Sequence, residues 1–215
     1  MQRKEILVMN IDKRVLRQKN IFDNTHLSLI LSAIDLINDE SFPNDNINIS
    51  QIAKKAGTSV ATAYNHFPNN LLDVYGSILN YGLRNTSSEF KDYIENESDP
   101  ELRILKFIEL QASEVIKYGN AIRVAFFNID KILSSGNWLS DEPLDYVINL
   151  CEDYKNKSNS EIDPHKLAVD LVMIFNGALF LWMRYDSNFR VWSKYNDDWF
   201  IDQTKRVWSM AISSQ

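Results

Sequence analysis

Turn-forming residues are scarce in this chain: 6 Gly and 5 Pro are spread over 215 residues. Folds built from many short strands need frequent turn residues, whereas long helices need few. Hydrophobic residues make up 45% of the chain and charged residues 24%, so a sizeable core is available. We therefore predict an all-α fold of about nine helices, arranged as one large domain or two small ones.

Apolar residues recur at helical spacing through most of the sequence. The first periodic segment begins near Asn24 or Thr25, both plausible caps, and ends in the polar stretch 38–46. Pro100 and Pro164 each follow an Asp, which is the signature of a capped helix start. The later segments are predicted at 71–90, 100–119, 121–133, 140–155, 164–185 and 197–212.

Two very short helices are predicted between the first segment and the longer ones. Asn48 and Gln51 form a variant capping box before a helix from 49 to 55 or 56. Gly57 stands where a left-handed backbone would turn the chain, and Ser59 caps a second helix from about 60 to 66. Two short helices joined by a Gly-containing turn are the sequence form of a helix-turn-helix.

Charge is distributed unevenly along the chain. The net charge of −6 alone argues against a nucleic-acid partner, because phosphate binding needs clustered Lys and Arg. Residues 1–70, however, hold eight Lys or Arg and seven Asp or Glu, a net of +1, so residues 71–215 carry −7. The positive charge is concentrated in residues 1–22, which we interpret as a basic N-terminal arm.

The run from Ile52 to Phe67 resembles the DNA-binding signature of the TetR family of bacterial regulators. The family's helix-start Thr is replaced by Asn48, and Asn69 and Asn70 stand where the family usually has a Lys. The resemblance implies a three-helix DNA-binding domain at 23–80 and a helical effector-binding and dimerisation domain at 81–215. The matching positions are Ile52, Ala53, Ala56, Gly57, Ser59, Ala61, Thr62, Tyr64, His66 and Phe67.

The resemblance also implies roles for single residues. Val60, Ala63 and Asn65 would contact base edges, while Thr62, Tyr64 and His66 would donate to phosphates. The arm would reach flanking phosphates or the minor groove. The expected DNA-binding set is Arg14, Arg17, Lys19, Asn48, Ser59, Val60, Ala61, Thr62, Ala63, Tyr64, Asn65 and His66.

By the same resemblance the chain would be a ligand-responsive repressor that binds a palindromic, double-stranded operator as a homodimer. The dimer would form through segments 164–185 and 197–212, and an unknown small-molecule effector would bind in the larger domain. Each pocket candidate could instead be ordinary core. The candidates are Tyr75, Leu79, Phe107, Gln111, Phe126, Phe127 and Tyr146.

Other classes of protein find little support in the sequence. It has no phosphate-binding Gly loop and no hydrolase or metalloprotease motif, so we expect no enzyme and no cofactor. Cys151 stands alone, and His26, His66 and His165 fit no metal spacing. A protein-interaction adaptor and a carboxylate-based helical enzyme remain alternatives. The stretch from Leu171 to Met183 is too short to span a bilayer, and we expect a cytoplasmic protein with no membrane contact.

Overall fold

The computed structural model describes residues 13–39, 47–89, 91–137, 139–158, 161–184 and 197–213. Within those ranges the chain is helical, with no strand, and the predicted all-α class is confirmed. The described helices number ten, against the nine or so that were predicted. They are α1 (Lys13–Asn38), α2 (Ile49–Lys55), α3 (Val60–His66), α4 (Leu71–Glu89), α5 (Lys91–Glu95), α6 (Pro100–Phe126), α7 (Ile129–Ser134), α8 (Glu142–Ser158), α9 (Pro164–Arg184) and α10 (Asp197–Ser213).

The contacts divide the chain into two compact units, residues 1–71 and 72–215. The division falls at the first turn of α4, whereas the sequence placed the domain boundary near residue 80, further along the same helix. We call these two parts the N-terminal unit and the C-terminal unit.

Helix α1 begins much earlier than predicted. Residues 13–22, expected to belong to a basic arm, form its first turns, and the rest of that arm lies outside the described residues. The hydroxyl of Thr25 donates to the carbonyl of Ile21 at 2.9 Å, so Thr25 lies inside the helix and does not cap it. No Gly or Pro interrupts the segment, and its Lys, Arg, Leu and Gln residues are good helix formers.

The core of the N-terminal unit forms where α2 packs against α1 and α3. On α1 the buried face differs slightly from the predicted stripe, because Leu27 and Leu31 are exposed whereas Leu29 and Ala33 are buried. Burial of this apolar surface is the main term that holds three short elements together. The buried apolar residues of this unit are Leu29, Ile30, Ala33, Ile34, Ile37, Ile47, Ile49, Ile52, Ala53, Ala63 and Phe67.

In the C-terminal unit, α6 packs against α8 and α10, and α9 packs against the same two helices. Gly119 was predicted to end one helix before a second began at Ala121. The structure has one helix that continues to Phe126, with a kink at Gly119, where φ is 50° and ψ is −122°. Only Gly adopts that backbone conformation readily. The Gly that was predicted to end a helix therefore kinks it instead. Helix α5 was not predicted.

Helix α9 contains a segment, Pro164–Met183, that is long and apolar enough to cross a membrane by length and composition alone. The sequence estimate of thirteen residues was too short because the helix continues through Asp170 and Lys166 to Pro164. A core helix of a soluble protein passes the same test, so the observation is weak evidence for a membrane span.

Candidate nucleic-acid interface and cavity

The two short helices of the N-terminal unit are fixed by local hydrogen bonds. The side chain of Asn48 accepts from the amide of Gln51 at 3.1 Å, and the side chain of Gln51 accepts from the amide of Asn48 at 3.0 Å. This is the predicted capping box. Asn48 was also a candidate DNA contact, and its side-chain oxygen is occupied by the cap.

The turn between α2 and α3 is a Schellman motif centred on Gly57. The amide of Thr58 donates to the carbonyl of Ala53 at 3.0 Å, and the amide of Gly57 donates to that of Lys54 at 3.2 Å. The φ of Gly57 is 67°, in the left-handed region that this motif requires. The predicted turn is therefore present, and it sets the direction in which α3 leaves α2.

Helix α3 begins at a cap made by Ser59, whose hydroxyl accepts from the amide of Thr62 at 3.0 Å. The hydroxyls of Ser59 and Thr62 are also 2.8 Å apart, so both are hydrogen-bonded within the helix start. The exposed face of α3 carries a hydroxyl, an amide and two apolar groups, which can contact phosphates and base edges. Its exposed residues are Val60, Ala61, Tyr64 and Asn65, with Tyr64 45% exposed.

Ala63 does not belong to that face. It was predicted to contact a thymine methyl, but it is fully buried, with 0% exposure. Its side chain lies on the side of α3 that packs towards α2, in the core of the N-terminal unit. Burial in that core accounts for a small apolar residue at this position.

His66, also a predicted phosphate donor, is half-buried in a cluster of rings from α1 and the end of α3. Its ring centroid lies 4.0 Å from that of Phe22 and 5.4 Å from that of His26, which in turn lies 5.1 Å from Phe67. Burial lowers the pKa of His66. Burial also lowers the pKa of His26, and the adjacent His66 adds to that effect while Asp23 opposes it. The structure thus gives His66 a packing role that the sequence did not indicate.

Cations lie on α1 and α2 near the ends of these helices. Arg17 and Lys19 are exposed on α1, and Arg14 lies in the first turn of the same helix. Lys54, which was not among the predicted contacts, is exposed in the last turn of α2, one residue before Lys55. Lys55 is engaged by Asp35 of α1 at 3.6 Å. The signal for Lys54 was its place directly before the helix-turn-helix turn.

Asn70, one of the two residues that stand where the TetR family usually has a Lys, has a structural role. Its φ is 58°, the one positive value among the described non-Gly residues, and its amide donates to the carbonyl of Phe67 at 3.0 Å. Asn tolerates this left-handed conformation better than most residues. The departure from the family pattern therefore coincides with a tight turn that leads into α4.

The C-terminal unit contains a partly open cavity of about 260 Å³. Its walls come from α4, α6, α8, α9 and α10, together with Ile129 of α7 and the segment before α8. Among the predicted pocket residues, Leu79, Phe107, Gln111 and Phe126 line it. Three others do not. Tyr75 lies elsewhere on α4. Phe127 is 46% exposed, and its ring contacts that of Phe180. The ring centroid of Tyr146 lies 5.4 Å from that of Phe107.

The cavity wall is mainly apolar, with a few polar groups, of which only Gln111 was predicted. Glu114 is 6% exposed, and its carboxylate accepts from the ammonium of Lys117 at 3.2 and 3.3 Å. The side-chain oxygen of Gln111 and the indole nitrogen of Trp208 are buried and have no hydrogen-bond partner among the described residues. Both residues line the cavity. Glu114 and Trp208 were overlooked because nothing in the sequence aligns α6 with α10.

Exposed apolar side chains are present on both α9 and α10 of the C-terminal unit. Met173 of α9 is 66% exposed and Met210 of α10 is 63% exposed, and Phe180 and Leu181 are exposed on α9 as well. The two helices also contact each other through the stacked rings of Trp182 and Phe200, 5.0 Å apart. Both predicted dimerisation segments therefore present apolar side chains outward.

Two observations in the described part of the chain bear on metal and thiol chemistry. No group of three His, Cys, Asp or Glu side chains there is placed to hold a metal ion. Cys151 is buried, and burial raises the pKa of its thiol to about 12, which keeps the thiol protonated and unreactive.

No protein-family model matches the sequence. No curated protein sequence matches it either.

Solved structures do resemble this chain. A protein named as a TetR-family transcriptional regulator from Syntrophomonas wolfei is 16% identical with a TM-score of 0.64, over 88% of this chain and 96% of that chain. The fatty acid degradation regulator FadR from Bacillus halodurans is 16% identical with a TM-score of 0.61, over 86% and 94%. AibR in its apo form is 15% identical with a TM-score of 0.51, over 84% and 96%. At such identities the likeness shows the fold.

Proposed function

We propose that this chain, which has the fold of the TetR-family transcriptional regulators, is a sequence-specific DNA-binding regulator. The observation that carries the proposal is the exposed face of α3, held rigidly by the Ser59 cap and the Gly57 turn. A helix presented this way can enter the major groove. Val60 and Asn65 would contact base edges, and Tyr64 would contact phosphate.

The regulator would act as a homodimer through α9 and α10. Their outward apolar side chains, Met173, Phe180, Leu181 and Met210, support this because exposed apolar patches of this kind mark association surfaces. A two-fold dimer places two recognition helices about one DNA turn apart, which suits a palindromic operator. Such a protein would work in the cytoplasm, where its DNA lies.

The cavity of the C-terminal unit would hold a small-molecule effector. Effector binding would shift the population between dimers that bind the operator and dimers that do not, and the chain would then be a ligand-responsive repressor. FadR is named as a regulator of fatty acid degradation, but a likeness in fold at 16% identity does not carry its ligand to this chain. We propose neither an enzymatic activity nor a resident cofactor.

Selection of binding sites from random DNA with the full chain tests the proposal. We expect a palindromic site whose affinity falls steeply as salt rises, because Lys and Arg contacts release counterions from DNA. Asn65→Ala should change the preferred sequence, and Tyr64→Phe should weaken binding to all sequences by a similar factor. Tyr93→Phe, at another exposed tyrosine on α5, is the matched control and should change neither. Enrichment of no site at low salt would refute the proposal.

A further inference from the structure

We propose that the cavity of the C-terminal unit takes an organic cation: an amine or quaternary ammonium group attached to a small apolar body. The inference rests on the proposal that this cavity is the effector site, and it adds the chemical class of the effector. Three features of the wall lead to it: its charge, its aromatic rings and an unpartnered oxygen.

The charge of the wall is negative. Glu114 and Asp141 line the cavity, whereas no Lys, Arg or His is found among the described residues that line it. Glu114 is the important one, because it is buried and Asp141 is exposed. Beside a buried carboxylate, where the effective dielectric is lower than in bulk water, a cation is attracted and an anion is repelled. A free carboxylic acid or other anionic ligand therefore finds no counter-charge on this wall.

Lys117 contacts Glu114, and it approaches from outside. Its ammonium forms the ion pair described above, but the Lys117 side chain is 60% exposed and is not part of the cavity wall. An ion pair with one exposed partner is weakened by water. The Glu114 carboxylate can accept from a second cation on the cavity side, since each of its oxygens has two lone pairs.

Aromatic rings surround the same space. They come from three helices, and a cation over the face of such a ring is attracted by its quadrupole, more strongly where water is excluded. Lys117 already shows this contact on the outer side, where its ammonium lies 5.2 Å from the ring centroid of Tyr118. The rings that line the cavity are those of Phe107, Tyr118, Phe126, Phe175 and Trp208.

Gln111 supplies a hydrogen-bond acceptor. It is 4% exposed, it lines the cavity one turn before Glu114 on α6, and its side-chain oxygen has no partner among the described residues. A buried acceptor without a partner costs free energy, which a ligand N–H would recover. The indole nitrogen of Trp208 is a donor that is likewise buried without a partner among the described residues. A ligand that also carries an ether or hydroxyl oxygen therefore gains a second hydrogen bond.

The volume limits the size of the ligand. An engineered apolar cavity of about 150 Å³ holds one benzene ring. A cavity of about 260 Å³ has room for a ring and a short chain. The proposed ligand is thus an arylalkylamine or an alkylammonium ion of comparable size.

Three probes of nearly equal shape test the proposal on the unaltered full-length chain: 4-phenylbutylamine, 4-phenylbutan-1-ol and 4-phenylbutyrate. They differ in being cationic, neutral and anionic at neutral pH. We expect the amine to bind about tenfold more tightly than the alcohol by calorimetry, and the butyrate to bind more weakly than the alcohol. Butyrate binding as tight as that of the amine, equal affinities for the amine and the alcohol, or no binding of any probe would each overturn the proposal.

Variants then locate the effect. Glu114→Gln should lower the affinity for the amine by about tenfold and change the affinity for the alcohol by less than about threefold. Glu152→Gln, at an exposed carboxylate on α8, is the control and should change neither. An unchanged amine affinity in a folded Glu114→Gln protein would overturn the assignment of Glu114. The probe series on the unaltered chain remains decisive if the variant does not fold.

Operator binding is measured separately, with and without the amine. If the chain binds the amine but selects no DNA site, the regulator proposal fails and the ligand class stands. If it selects a site but prefers the butyrate, the regulator proposal stands and the ligand class is wrong.

Discussion

The rings of His26 on α1 and His66 at the end of α3 lie 5.4 Å apart, centroid to centroid. The Nδ1 atom of each is buried and has no hydrogen-bond partner among the described residues. Protonation of both rings would place two positive charges together beside Phe22 and Phe67, with Asp23 as the nearby carboxylate. The pair therefore couples the stability of the N-terminal unit to pH.

The direction of that coupling follows from the pKa of each ring. Burial lowers both pKa values in the folded chain below the ordinary 6.5, so the unfolded chain binds more protons as pH falls. The contribution to stability is present above about pH 6.5 and is lost as pH falls through the folded pKa. We expect the thermal unfolding temperature to fall between about pH 7.5 and 5.5, and His26→Phe to reduce that fall. His165→Gln, at an exposed histidine on α9, is the control; an equal effect of both variants would contradict the role of the pair.

A side chain at Gly57 should destabilise the N-terminal unit, although space for one is present. A Cβ at this position would meet nothing within 4 Å, so the cost of a substitution comes from the positive φ alone. We expect Gly57→Ala to lower the free energy of unfolding in urea by about 1 kcal/mol. Gly57→Asn should cost less, because Asn adopts the left-handed conformation more easily. Equal losses of unfolding free energy for Ala and Asn would show that the positive φ of Gly57 does not determine the cost of a substitution.

Enlargement of two alanines on α3 should affect stability to different extents. Ala63 is fully buried, so Ala63→Leu should overpack the core of the N-terminal unit and cost about 1 to 3 kcal/mol in urea unfolding. Ala61 is exposed, and Ala61→Leu should change stability by less than about 0.5 kcal/mol. Similar stabilities of the two variants would mean that Ala63 faces solvent, as the sequence first indicated.

Removal of the Arg103 side chain should destabilise the C-terminal unit. It is mostly buried, and its guanidinium donates to the carboxylate of Asp153 on α8 at 2.5 Å and to the backbone carbonyls of Glu97 and Glu95. We expect Arg103→Ala to cost about 2 kcal/mol in urea unfolding, because hydrogen bonds to charged groups are lost together. Lys91→Ala breaks an exposed pair with Glu95 and should cost less than about 0.5 kcal/mol. A loss at Arg103 as small as that at Lys91 would contradict this role.

Cys151 should not react in the folded protein. With burial raising its pKa to about 12, the thiolate that attacks alkylating reagents is scarce at neutral pH. We expect iodoacetamide to label Cys151 only when the C-terminal unit unfolds, so that mass spectrometry of the labelled chain follows urea unfolding. Stoichiometric labelling of the native protein within minutes would show that the thiol is accessible.

The sequence predicted best what local hydrogen bonds decide. The bounds of α2 and α3 follow from Asn48, Gln51 and Ser59, whose caps involve residues three positions away, and from Gly57. The predicted start of α1 was wrong because Thr25, a plausible cap residue, instead donates a hydrogen bond from its hydroxyl to the carbonyl of Ile21 within the helix. A Thr of this kind can either cap a helix or lie within it, and tertiary packing determines which of the two occurs.

The candidate site was predicted less completely, for the same physical reason. The resemblance placed α3 correctly but could not show that Ala63 faces the core or that His66 stacks on Phe22. Four of the seven proposed pocket residues line the cavity, as described above. Glu114 and Trp208 were missed because their proximity depends on how α6 and α10 pack, which no spacing along the chain encodes.

The kink at Gly119 has a mechanical consequence. Helix α6 has 27 residues, so a straight helix of that length would be a rod of about 40 Å. The kink divides it into a long arm before Gly119 and a short arm after it, and cavity residues lie on both: Phe107, Gln111 and Glu114 on the first, Ile122 and Phe126 on the second. Because an α-helix resists bending wherever its hydrogen bonds are intact, we expect a force applied at the cavity to turn the short arm about Gly119 before it displaces the long arm.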